Sequence, residues 1–280
     1  TAAQRRRIAE VARSGHPTLI IGTRSAISLP FHRLGLVIID EGQDTFYKQS
    51  EPAPRYNGRD CAVKLASIHG AEVILGTSCP SLESLLNVNS GRYSLRQADG
   101  AAPATKAAVI IDMGAEKRKR GVSGYFSFKL IEAIRDCGGK VALIRGWEKP
   151  DELQQQICRL FPDKGIDSFR YQEIREKDLS SYALTAVLQA DALVDDNDFR
   201  ADERGIQITS QLLSRTSSLW IQTSVPSRFD GSRDFSVLLK ERHDFGFPPF
   251  TRMLEFRSRK DGSTIDRFFL KRDKSLQNQK

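Results

Sequence analysis

Asp40 and Glu41 stand side by side at the end of an apolar run, Leu36-Val37-Ile38-Ile39. Adjacent carboxylates suit nucleotide hydrolysis, the first helping to hold Mg²⁺ and the second orienting or polarising an attacking water. Three β-branched residues in a run of four predict a strand buried on both faces of a parallel sheet. The carboxylates then fall at its carboxyl end, where open α/β sheets place their ligands. A buried strand that merely ends in a polar loop fits the same residues, and on this stretch alone both readings stand.

The neighbouring segments supply context. Thr18-Leu19-Ile20-Ile21 leads into the small polar turn Gly22-Thr23-Arg24-Ser25-Ala26, and Ala71-Glu72-Val73-Ile74-Leu75 leads into Gly76-Thr77-Ser78-Cys79-Pro80. Three apolar strands ending in small, polar or acidic residues, with helix-length spacers, predict a doubly wound sheet. Residues 4–13 predict a basic helix. Asp60 is a candidate cap for a helix over Cys61 to His69, and Ser81 opens another after Pro80.

Taken together, Gly22 to Ala26, Asp40-Glu41-Gly42-Gln43, Tyr47-Lys48-Gln49, Arg55-Tyr56, Arg59-Asp60 and Gly76 to Pro80 resemble the PriA family in order and spacing over roughly residues 1 to 95. These are primosomal replication-restart helicases of superfamily 2. Two departures are visible: Gly42 and Gln43 replace the family's usual glutamate and histidine, and Ser78-Cys79-Pro80 replaces an Ala-Thr-Pro ending. Gly42 is expected to loosen its loop.

The resemblance implies an α/β fold of two RecA-like helicase lobes, parallel sheets flanked by helices with the first lobe incomplete, and the start of a C-terminal α+β domain. The implied domains are residues 1–98, 105–226 and 235–280. It implies ATP at Asp40, Glu41, Gln211 and Arg215 with Mg²⁺ at Asp40, catalysis by Asp40, Glu41, Gln43 and Arg215, a coupling loop at Gly76, Thr77 and Ser78, and contact with a nucleic-acid strand at Thr23, Arg24 and Ser25. Lys48, Arg55 and Arg59 alternate with aromatics, which suits a single-stranded backbone with stacking, although such residues also simply pack. The implied activity is ATP-dependent 3′-to-5′ unwinding at stalled forks with primosome assembly. The implied partners are single-stranded or forked DNA, single-strand-binding protein and other primosome proteins.

Further along, Ala107 to Asp112, Lys140 to Arg145 and Trp220 to Thr223 predict strands, while Phe128 to Asp136 and Glu152 to Phe161 predict helices. Lys117-Arg118-Lys119-Arg120 predicts an exposed basic loop. Leu188 to Leu193 and Asp198 to Gly205 resemble a strand and a following helix of the second lobe. Gln211-Leu212-Leu213-Ser214-Arg215-Thr216-Ser217-Ser218 occupies the place of the family's arginine-finger motif. Gln211 and Arg215 survive there, but the glycines and the terminal arginine do not, which argues against efficient hydrolysis. Phe245-Gly246-Phe247-Pro248-Pro249-Phe250 predicts a rigid packed turn before a strand from Met253 to Ser258, and the polar tail is expected to fray.

Composition limits the alternatives. Lys and Arg number 43 against 35 acidic residues, a net charge of +8 with a pI near 9.4, which suits a polyanion although dispersed excesses of this size are common. Cys61, Cys79, Cys137 and Cys158 are scattered with no Cys-x-x-Cys. No zinc site is expected, and all four are expected as buried thiols. No signal peptide or membrane-length apolar run occurs, so a soluble cytoplasmic protein without a membrane partner is expected.

No G-x-x-x-x-G-K-[ST] phosphate loop occurs in the 280 residues. The first residue is Thr1, so one expectation is a piece of an ATP-driven primosomal helicase whose phosphate loop lies upstream. The other is a non-catalytic relative that binds DNA or a primosome partner, or a decaying gene product. Whether the chain is itself an enzyme stays open between them.

Overall fold

The computed structural model describes residues 2–49, 51, 54–97, 107–119, 121–194, 198–258, 260–261 and 263–271, in an α/β chain that divides into two units, residues 1–80 and 81–280. Residues 98–105, where the sequence turns small and polar, lie outside the described residues, as do Arg120 and the tail after Lys271.

In the first unit, α1 (Ala2–Ser14) is followed by irregular backbone and a 3₁₀ turn at Arg24–Ser28. Then come β1 (Leu36–Ile39), a 3₁₀ turn at Thr45–Tyr47, α2 (Gly58–His69) and β2 (Glu72–Leu75). β1 and β2 pair in parallel, with Ile39 opposite Leu75. α2 is capped by Asn57, whose side chain accepts from the amides of Arg59 and Asp60. The expected cap, Asp60, instead lies in the first turn, because Asn57 reaches the unpaired amides first.

Two expectations fail here. Thr18 to Ile21 forms no strand, and Leu19 and Ile21 are 84% and 89% exposed. A β-branched run becomes a strand only when a neighbour takes its backbone hydrogen bonds, and this run pairs with neither β1 nor β2, although each has an outer edge that pairs with no strand among the described residues. Nor is β1 covered on both faces: Ile39 is buried, whereas Ile38 and its neighbour Ile74 are 65% and 52% exposed. Side chains alternate across a strand, and within this unit only one side of the pair is sheltered.

The second unit opens with α3 (Leu82–Asn89), capped by Ser81. β3 (Val109–Asp112) and α4 (Met113–Lys119) follow, then the short strands β4 (Val122–Ser123) and β5 (Phe126–Ser127). α5 (Phe128–Asp136), β6 (Val141–Arg145), α6 (Pro150–Leu160), β7 (Ile166–Arg170) and β8 (Leu184–Val187) come next. α7 (Ala201–Leu213), β9 (Leu219–Thr223), α8 (Phe235–Asp244) and the hairpin β10 (Thr251–Arg257) and β11 (Thr264–Lys271) complete the chain. Five strands make one parallel sheet in the order β3-β9-β8-β6-β7. One face is packed by Leu130, Ile134, Leu153 and Ile157 from α5 and α6, the other by Ile208 and Leu212 of α7 with Ile174, Leu179 and Phe229. A parallel sheet flanked by helices on both sides has the architecture of a RecA-like lobe.

The α5 prediction coincides with the observed helix, because a strong apolar stripe coincides with a stop at Cys137 and with Ser127 accepting from the Leu130 amide. Others shift. The second-lobe strand expected at Leu188 lies at Leu184–Val187, with Ala190–Leu193 a 3₁₀ turn. β7 was not anticipated, since Asp167 and Ser168 interrupt its apolar pattern at the sheet edge. Lys117 to Lys119 end α4 rather than forming a loop, where their charge suits the helix carboxyl end. Of the cysteines only Cys79 is buried, and Cys158 is exposed. Among the described residues no helix is long and apolar enough to cross a membrane.

A buried ion pair ties the helices of this unit together. Arg242 of α8 donates to Glu203 of α7 at 2.7 Å, with the side chains 6% and 4% exposed. The other Glu203 oxygen accepts from the Leu82 amide at the start of α3 at 3.0 Å. The Arg242 guanidinium also lies over Phe199, which stacks on Phe247 at 5.1 Å. Removing one partner strands a buried charge, so Glu203→Ala is expected to cost about 3–5 kcal/mol. Arg242→Met with Glu203→Met should cost less than Glu203→Ala, as urea unfolding of the variants would show.

Candidate functional site

The carboxyl ends of β1 and β2 lie side by side, and this pairing builds the site. The Gly76 amide donates to the Ile39 carbonyl at 2.8 Å, and the Gly42 amide donates back to the Gly76 carbonyl at 2.9 Å. The acidic loop and the loop after β2 are thereby laced together through main chain. Glu41 turns in the left-handed region, φ 48°, and its amide donates to Asp40 Oδ1 at 3.0 Å. Gly42 is buried and pinned by its hydrogen bond, so it does not loosen the loop as expected; the strained residue is Glu41.

Gln43 is the hub. Its amide nitrogen donates to Glu41 Oε2 and, at 3.5 Å, to Ser78 Oγ; its carbonyl accepts from Thr77 Oγ1 at 2.5 Å. Thr77 Oγ1 in turn accepts from the Cys79 amide at 3.0 Å. One side chain thus joins the acidic pair to the loop at Gly76, Thr77 and Ser78. A primary amide can do this because it both donates and accepts, whereas a carboxylate at this position could only accept.

Sequence reasoning missed the part played by Tyr47. Its hydroxyl donates to the Asp40 carbonyl at 2.7 Å, and its pKa is raised by burial first and then by the charges of Asp40 and Glu41. Neither carboxylate forms an ion pair among the described residues. Exposed Asp40 and half-exposed Glu41 are the donor type a hard divalent cation takes. No cluster of three potential metal ligands occurs among the described residues.

The candidate strand-contacting residues surround this site but are mostly engaged. Arg24 donates to the Phe46 carbonyl at 2.9 Å, and Thr23 and Ser25 share a hydroxyl contact at 3.2 Å. Arg59 donates to the Gly42 carbonyl at 3.3 Å and to Asp60 at 2.9 Å, its side chain 11% exposed. Lys48 reaches the Arg55 carbonyl at 3.4 Å, and Arg55 pairs with Glu51 at 2.7 Å. These cations brace the loop that follows the acidic pair.

Gln211 and Arg215 belong to the second unit. Gln211 accepts from the Tyr171 hydroxyl. Arg215 donates to the carbonyls of Ile174, Arg175 and Lys177 at 3.0, 3.2 and 3.0 Å. Its guanidinium closes the carboxyl end of the 3₁₀ turn at Tyr171–Glu176.

No family model matches the chain. Individual relatives do. The chain is 39% identical over 127 residues to replication restart protein PriA of Chlamydia pneumoniae, a match covering 45% of this chain and 17% of the relative. It is 38% identical over 141 residues to PriA of Rickettsia felis, covering 49% and 21%, and 44% identical over 93 residues to PriA of Haemophilus influenzae, covering 33% and 13%. About half of this chain is PriA-like. The matched part spans roughly a fifth or less of each relative.

The bond from Cys79 to the Thr77 hydroxyl is removed by Thr77→Val. A hydrogen bond of about 1 kcal/mol corresponds to about fivefold in local opening, so amide exchange at Cys79 should quicken by about that factor. Gln43→Ala should speed exchange across the loop at Thr77 and Ser78 and leave the second unit unchanged.

Proposed function

We propose that the chain is part of a PriA-type replication-restart DNA helicase and that its first unit links the state of a bound Mg–ATP to its hold on a DNA strand. The observation that carries this reading is Gln43, bonded at once to Glu41, Thr77 and Ser78. A change at the acidic pair is passed to the second loop through one rigid amide. Asp40 and Glu41 are the residues that would hold the cation and orient water, and bound Mg²⁺ would neutralise charge on the nucleotide phosphates. Thr23, Arg24 and Ser25, with Lys48, Arg55 and Arg59, are the proposed edge for the strand. Single-stranded or forked DNA, single-strand-binding protein and other primosome proteins are the proposed partners, and 3′-to-5′ unwinding the activity of the machine.

For the chain on its own, two observations favour binding without turnover. The 280 residues contain no phosphate loop with its lysine, and Arg215 is committed to three carbonyls. The alternative of a non-catalytic DNA-binding relative makes the same forecast for the isolated chain and differs only in what works beside it.

The expected result is salt-sensitive binding of a labelled oligothymidylate, falling linearly in log affinity against log salt, with no DNA-stimulated ATP hydrolysis. Absence of DNA affinity at low salt would overturn the reading. DNA-stimulated hydrolysis that disappears in Asp40→Ala/Glu41→Ala would instead make the chain a motor in its own right and reverse the forecast of binding without turnover.

A further inference from the structure

The carboxyl edge of the five-stranded sheet carries a group of residues that the site above does not use. β6 ends at Arg145, whose direct neighbour in β7 is Arg170. In-register residues on parallel neighbours share a face of the sheet about 4.8 Å apart, so two guanidinium-bearing side chains leave the sheet together. Arg170 is exposed and Arg145 half-buried, and Arg145 makes no hydrogen bond or ion pair among the described residues, its Nε lying buried without an acceptor.

Two residues further on, Trp147 is 73% exposed. It is one of two tryptophans; the other, Trp220, is partly buried in β9 and donates its indole N–H to Ser218 at 3.1 Å. Trp147 stands on a stiff support. The Gly146 amide donates to Glu148 Oε2 at 2.5 Å, and the Trp147 amide donates to Gln189 at 3.4 Å. Glu148 is 5% exposed and its carboxyl pKa is raised by burial. A Cβ on Gly146 would lie 2.6 Å from the Ala192 Cβ and 2.8 Å from the Gln189 carbonyl, so the turn is closed against the loop after β8. An exposed indole on a fixed turn loses little freedom when something stacks on it.

A solvent-facing indole two residues after Arg145, whose in-register neighbour is Arg170 and whose charge also faces the buried Glu148 carboxylate, matches a nucleotide unit of a single strand: a flat base for the ring and phosphates for the guanidiniums. Resting on the reading of the chain as a DNA-binding protein, we infer that Trp147 is a base-stacking platform for single-stranded DNA, with Arg145 and Arg170 taking the flanking phosphates. The second unit then has a DNA contact of its own, which holds the strand by its bases as well as its backbone.

Trp220→Phe leaves Trp147 as the single tryptophan. Unlabelled oligothymidylate should quench its emission with the same saturation curve that anisotropy of a labelled oligomer gives. Alanine substitution of a stacking aromatic costs about 1–3 kcal/mol per base, so Trp147→Ala should weaken binding roughly 5- to 150-fold, and Trp147→Phe should recover most of it. An abasic oligomer should bind the unaltered chain weakly and be indifferent to Trp147→Ala. Arg145→Ala should lower the salt slope by about one. DNA binding by anisotropy with unchanged Trp147 emission, or equal affinity for Trp147→Ala, overturns the inference and leaves the DNA-binding reading standing. No binding of any oligomer overturns both.

Discussion

Parallel pairing is the constraint on which both units rest. When neighbouring strands run the same way, every carboxyl end falls on one edge, and the chain must cross back over a face before it pairs again. In the first unit that places the acidic loop after β1 against the loop after β2, close enough for the Gly42 amide to reach the Gly76 carbonyl, the Gly76 amide to reach the Ile39 carbonyl, and Gln43 to span both loops. In the second unit it gathers Asp112, Arg145, Arg170 and Thr223 at the ends of β3, β6, β7 and β9. Residues far apart in sequence become neighbours because strand direction leaves them nowhere else to emerge.

Arginine does most of the work of holding what emerges. Arg24 and Arg59 donate to carbonyls of the acidic loop region, Arg215 closes a 3₁₀ turn, and Arg242 bonds Glu203 and the Pro248 carbonyl. The planar fork of a guanidinium suits this, since it offers several donors in fixed directions and tolerates partial burial. The formal charge of +8 therefore overstates how much positive charge is free to meet a polyanion. Charge counted in a sequence and charge presented at a surface are different quantities here.

Much of the helical structure was legible because local signals agreed. At α5, periodicity, cap and stop all point to the same boundaries. The place of the acidic pair and of the Gly76 loop directly after β1 and β2 was legible too, from the apolar runs that precede them. What was not legible depends on partners. Thr18 to Ile21 has the residues of a strand and pairs with none, while Ile166 to Arg170 has a broken pattern and pairs with β6. The bracing partners of Arg24 and Arg59 sit 22 and 17 residues away, with no local signature. Trp147 carried a signal, a Gly-Trp step directly after a strand, but its exposure depends on how the turn closes against Gln189.

The one-sided cover of β1 and β2 has a bearing on the state of the chain in solution. Ile38 and Ile74 form a bare apolar strip on a two-stranded sheet, with Leu19 and Ile21 exposed in the same unit. Such surfaces attract one another, and net charge of a single sign is what keeps copies apart. Salt screens that repulsion over the same range in which it competes for a polyanion. Colloidal stability and the proposed nucleic-acid affinity thus depend on one variable, and ionic strength would move both in the same direction.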